Sequence, residues 1–150
     1  MSGIKAQLYN EVNKRLKNRL HVIQSKISDI QNALQSETKS TAGDKHETGR
    51  AMLQLEREKA GQQLAELQKQ IEILSRIDTN HKHERVALGS IVKTSKANYF
   101  LSISSGEINI DGDSFFCISM VTPIGKLLLS KVVGDSFVFN SEVIKITDII

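Results

Sequence analysis

Apolar residues between positions 4 and 36 recur at Ile4, Leu8, Val12, Leu16, Leu20, Ile23, Ile27, Ile30 and Leu34, in steps of three or four with no Gly or Pro between them. That spacing predicts an amphipathic helix whose last two heptads have a coiled-coil pattern. The polar run 36–49 (SETKSTAGDKHETG) holds two Gly and reads as a turn. A second stripe follows at Met52, Leu53, Leu55, Ala60, Leu64, Leu67, Ile71, Leu74 and Ile77. Each helix is expected to run for about 30 residues, or roughly 45 Å. Two such helices joined by a short turn pack as an antiparallel hairpin, in which partners across the seam have position numbers of constant sum. Leu34 with Leu53, Ile27 with Ala60, Ile23 with Leu64, Leu20 with Leu67 and Leu16 with Ile71 all add to 87, and Val12 with Leu74 adds to 86. The apex then falls between Gly43 and Asp44. One layer fits badly, Ile30 against Arg57, and Gly61 costs about 1 kcal/mol in a helix interior. The same stripes would also serve a bundle formed between chains.

From about residue 86 the period shortens toward two. Residues 88–94, 99–103, 107–110, 114–120, 137–140 and 143–149 are rich in Ile, Val, Phe and Ser and are expected to form short strands. Asp111-Gly112 marks a hairpin turn. Thr122 and Pro123 are placed as N-cap and first residue of a short helix, with Leu127, Leu128 and Leu129 packing it on the sheet. The expected fold is α+β: a helical hairpin over 1–80 with its tip near 37–48, then a small antiparallel sheet domain over 81–150. Residues 78–85 (DTNHKHER) form the polar linker.

Composition changes this picture little. The 150 residues suffice for one ordinary domain or two small ones, and aromatic content of 5 % with no Trp argues against one large globular core. The single Cys, Cys117, forms no internal disulfide, no secretory signal opens the chain, and no run approaches a membrane span, so a cytoplasmic protein without membrane contact is expected. The net charge of +3 lies wholly in residues 1–80, which carry 13 Lys+Arg and 10 Asp+Glu, whereas 81–150 carry 7 of each. Lys14, Arg15, Lys17 and Arg19 cluster there and suit an anionic partner such as nucleic acid, or simply a solvated helix face.

Catalytic and metal motifs are scarce. Gly125-Lys126 lacks the remainder of a phosphate loop, His81 and His83 have no further ligand at zinc spacing, and Asn109, Asp111 and Asp113 lack the closing Glu of a calcium loop. Cys117 sits in an apolar strand, where a thiol is expected to be buried. Asp44 and Glu47 stand at the computed apex. They form a capping box for the second helix, or two hard oxygen ligands for Mg²⁺ at the end of a stalk, and one arrangement serves both.

The chain resembles the Gre family of bacterial transcript-cleavage and elongation factors over nearly its full length. The resemblance rests on Gly89-Ser90-x-Val92, on Ile118-Ser119-x-x-Thr122-Pro123-Ile124-Gly125-x-x-Leu128-Leu129-x-Lys131-x-x-Gly134-Asp135, and on Gly43-Asp44-x-x-Glu47. It implies an FKBP-like C-terminal domain and a hairpin that enters the secondary channel of bacterial RNA polymerase. Asp44 and Glu47 would then be the tip acids that help hold a Mg²⁺ shared with the polymerase and orient the water that cuts backtracked RNA. The chain would have no catalytic centre and no cofactor of its own. The resemblance puts polymerase contact at Thr122, Pro123, Gly134 and Asp135. Lys14, Arg15, Lys17 and Arg19 are the candidates for nucleic-acid contact, with RNA or DNA met only inside the elongation complex, and a monomer is expected. After Glu47 the chain reads Thr48, Gly49, Arg50 and Ala51, without the second acid and aromatic of the family tip. A channel regulator that does not support cleavage, a structural adaptor, and a prolyl isomerase are the competing readings.

Overall fold

The computed structural model describes residues 3–38 and 43–150, and side chains over 3–37 and 47–150. Two long helices, α1 (Ile4–Thr38) and α2 (Gly43–Ser75), precede six strands and one short helix. The chain divides into two compact units, Leu16–Ile71 and Met1–Arg15 with Glu72–Ile150, so the division follows packing rather than a single cut at residue 80.

Within Leu16–Ile71, Ile27, Ile30 and Ala60 are buried together, with Ile23, Leu34, Leu53 and Leu64 packed against them. The layers predicted for Leu34 and Leu53, Ile27 and Ala60, and Ile23 and Leu64 are therefore drawn into one seam. Ile30 is buried in that seam, and the expected clash with Arg57 does not arise. Arg57 instead lies over Gly61, where an added Cβ would come within 3.0 Å of Nη1. The absent side chain makes room for the guanidinium one turn away. Three residues of the second stripe leave the seam: Met52 and Leu55 are more than 60 % exposed and Ile71 is 39 % exposed. A two-helix seam covers only a narrow strip of each helix, so apolar residues on its flanks stay in water.

The turn is shorter than the polar run suggested. The backbone is already helical at Gly43, so Asp44 lies inside the first turn of α2 and is not its N-cap. An acidic residue in the first turn of a helix is favoured by the helix dipole.

The other unit holds the strands β1 (Ile91–Thr94), β2 (Asn98–Leu101), β3 (Gly106–Ile110), β4 (Asp113–Ile118), β5 (Ser136–Phe139) and β6 (Glu142–Ile149), in the order β3-β4-β2-β1-β6-β5. All six expected strands are present. The sheet is mostly antiparallel, but β2 and β4 pair in parallel, because β3 runs back outside β4 and returns the chain in the direction of β2. The β3–β4 turn has positive φ at both Asp111 and Gly112, the type I′ geometry that matches strand twist. Asn140 and Ser141 repeat it between β5 and β6. The first strand begins only at Ile91, because Gly89 turns the chain at φ +92°.

The helix α3 (Pro123–Leu128) follows its N-cap Thr122, as predicted. Ile124 and Leu128 join Val86, Val92, Leu101, Phe137, Ile144, Ile146 and Ile149 in one core, with Leu127 partly buried against it. Leu129 does not join them and is 39 % exposed, because the helix has ended and the chain has turned extended there. Ile91, Phe100, Phe115 and Cys117 are also buried, as are Leu8, Val12 and Leu74 of the helical segments in this unit. Among the described residues, no helix is long and apolar enough to cross a membrane.

Candidate functional site

At the tip of the hairpin, Asp44 lies in the first turn of α2, with its side chain outside the described residues, as are those of Lys45 and His46. Lys39 lies outside them altogether. Glu47 is one turn farther along α2 and is exposed. Residues 44 and 47 are three apart, so the two positions are neighbours on one face of α2. A third acid, not singled out in the sequence, stands nearby: an added Cβ at Gly49 would sit 3.7 Å from Glu37 Oε1. The Glu37 carboxylate therefore lies beside α2 at Gly49. Carboxylates are the hard oxygen donors that Mg²⁺ accepts, so Asp44 and Glu47 suit that ion chemically. Among the described residues, no group of three or more His, Cys, Asp or Glu gathers to hold a metal alone.

The four basic residues of α1 have different surroundings. Arg15 is turned onto the protein's own backbone: Nη1 donates to Ser105 O at 2.7 Å and Nη2 to Glu107 O at 3.2 Å, while Nε meets Glu11 Oε1 at 3.4 Å. Arg19 Nη2 donates to Gln70 Oε1 at 2.7 Å across the hairpin. Lys14 and Lys17 are exposed.

Around α3 the residues that carry the sequence resemblance build a tight turn. Thr122 Oγ1 accepts from Gly125 N at 3.1 Å and donates to Ser119 O at 2.7 Å. Pro123, at the first helical position, is exposed. Asp135 Oδ2 accepts from Val132 N at 2.9 Å, closing the turn in which Gly134 holds φ +93°. A φ of that sign favours glycine, which gives Gly134 a backbone reason apart from any contact.

Lys5 was missed in the sequence, although it is only 4 % exposed. Its Nζ donates to His81 O at 2.6 Å and lies 3.3 Å from His83 Nδ1. An ammonium only donates, so Nδ1 accepts and the other ring nitrogen carries the proton. The His81 and His83 rings meet edge to face at 4.6 Å. Burial lowers the Lys5 pKa, partly countered by Asp78. Burial also lowers that of His83, helped by the charge of Lys5. The only hint in the sequence was a charged residue on the apolar side of α1, one step from Leu8. Cys117 is buried, which pushes its thiol up to about 12 and rules it out as a nucleophile at neutral pH.

No protein-family model and no curated protein matches the chain. Among solved structures, the chain is similar to that of the transcription factor Gfh1, with 20 % identity over 94 % of this chain and 92 % of that one, at a TM-score of 0.31. At that score the likeness adds nothing to what the residues themselves argue.

Proposed function

We propose that this chain is a Gre-like transcription factor whose helical hairpin enters the secondary channel of bacterial RNA polymerase. The observation that carries this reading is the pair of carboxylates, Asp44 and Glu47, in the opening turns of α2, at the end of the hairpin remote from Leu16 and Ile71. The hairpin reaches roughly 35 Å from Leu16 to Thr38 at 1.5 Å per residue. A rod two helices wide delivers acids into a cavity that a broad protein surface cannot enter. There the polymerase's Mg²⁺ supplies Lewis-acid chemistry for phosphodiester hydrolysis. Asp44 and Glu47 add oxygen ligands and accept hydrogen bonds from the attacking water, which fixes its direction. The polymerase holds the catalytic centre, and this chain is not itself an enzyme. Thr122, Pro123, Gly134 and Asp135 are the proposed contacts at the channel rim, and Lys14, Lys17 and Arg19 the proposed contacts to nucleic acid within the complex.

One sequence feature favours a second reading, a channel regulator without cleavage. Lys39, Lys45, His46 and Arg50 surround the two acids in the sequence, and cations close to a carboxylate compete with a metal for it. The two readings separate on reconstituted backtracked elongation complexes. A cleavage factor shortens the RNA, and Asp44→Ala or Glu47→Ala abolishes shortening while binding to polymerase persists. A regulator binds and alters elongation without shortening. A protein that fails to bind core polymerase overturns both.

A further inference from the structure

The β3 strand ends the sheet, and two carbonyls along its outer edge are held by a single side chain. Ile108 and Ile110 pair with Phe115 and Asp113 across the hairpin, and Ile110 flanks the two-residue turn. In such a ladder the alternate residues, Glu107 and Asn109, turn their N–H and C=O groups away from β4. The outward carbonyl of Glu107, and that of Ser105 beyond it, accept from the Arg15 guanidinium. Arg15 therefore occupies the place a neighbouring strand would take, as charged side chains do on protected sheet edges. Glu11 steadies it from one turn away on α1. Beyond the guanidinium, Ile108, Asn109 and Ile110 border an open groove with Gln7, Asn10, Glu11 and Lys14 of α1.

We propose that this edge is a latent pairing surface for a second copy of the same chain, and that Arg15 holds it closed. The edge is self-complementary. If Glu107 faces Asn109 of a second copy antiparallel, a two-fold axis makes Asn109 face Glu107 of that copy. The outward N–H and C=O groups of both residues then pair in four hydrogen bonds. The same register sets Ser105 opposite Asp111 of the other copy. Lys14, which lines the same groove and is kept in the Arg15 variants, is then brought toward the acidic turn of Asp111 and Asp113 of the other copy, twice by symmetry. That charge match selects a second copy over an unrelated strand. The inference is independent of the proposed function, since it concerns the sheet edge and not the tip.

Sedimentation velocity of the full chain over a hundredfold concentration range tests it. The wild type remains monomeric. Arg15→Ala tightens self-association by about tenfold or more, the factor expected for losing a charge-assisted hydrogen bond that blocks the edge. Alanine is the best helix former, so α1 keeps its first turns. Arg15→Lys, which reaches one carbonyl instead of two, falls between and gives the same readout should Arg15→Ala not fold. Asn109→Pro, added to either variant, removes an outward N–H that β4 does not use and restores the monomer. A wild type that already dimerises, Arg15 variants that stay monomeric, or a dimer unaffected by Asn109→Pro each overturns the proposal.

Discussion

Replacing Gly125 by Ala sets two opposed effects against each other, and the structure decides between them. In a helix interior Ala is favoured over Gly by about 1 kcal/mol, so propensity alone predicts a more stable protein. An added Cβ at Gly125 would stand 2.2 Å from Ser119 O, 2.9 Å from Thr122 Oγ1 and 3.0 Å from Met120 Cα. Two of those three atoms are backbone, and the third is the capping oxygen of α3. Ser119 O already accepts from Thr122 N at 3.3 Å and from Thr122 Oγ1 at 2.7 Å. Relieving the overlap moves that carbonyl by about 1 Å and gives up the bonds it holds. Overpacking of this kind costs about 1–3 kcal/mol, and a lost N-cap about 1 kcal/mol more. After the helix gain is subtracted, the net loss is about 2 kcal/mol. For a domain of this size that lowers the melting temperature by about 10–15 °C. Thermal and urea unfolding of wild type and Gly125→Ala measure it. An unchanged or raised melting temperature refutes the close packing of α3 on the turn at Ser119.

Other substitutions probe the remaining packing. His83 has a lowered pKa in the folded chain, so the unfolded chain binds the extra proton first. Stability is then unaffected by this group well above pH 6.5 and falls as pH drops through and below it. His83→Gln flattens that fall in urea titrations between pH 8 and pH 5, and an equal slope in both proteins removes the buried contact with Lys5. In the hairpin, Ile27→Ala costs about 2–4 kcal/mol because the residue is buried in the seam, whereas Met52→Ser stays within about 0.5 kcal/mol because the residue is exposed. Comparable losses at both positions in denaturant unfolding would contradict the seam.

The sequence revealed those elements whose signals are local. The apolar steps of α1, the six alternating runs and the Asp111-Gly112 turn each encode their geometry within a few residues. The helix N-cap at Thr122 was legible for the same reason. Pairing partners far along the chain were not. The parallel alignment of β2 with β4 depends on where β3 lies, which no single run states. Met52, Leu55 and Ile71 show the limit of a stripe: periodicity gives the face of a helix but not the width a single partner covers. Arg15 and Lys5 bind backbone carbonyls 90 and 76 residues away, and a carbonyl has no signature in a sequence. At the tip, spacing singled out Asp44 and Glu47 as candidates but not Glu37, whose place beside Gly49 depends on how the two helices meet. It also put the start of α2 later than Gly43, because a polar composition is shared by turns and by helix ends.

The proposed entry of the hairpin tip into the polymerase channel is read directly by one cross-linking measurement. Glu47→Cys places a reactive thiol at the exposed start of α2, while the native Cys117 is buried, with its thiol pushed up to about 12, and stays silent. Labelled there with a short photoactivatable group and mixed with bacterial core RNA polymerase, the protein is expected to cross-link to polymerase segments that line the secondary channel beside the catalytic Mg²⁺. Cross-links confined to the outer surface of the polymerase, or none at all, would contradict it.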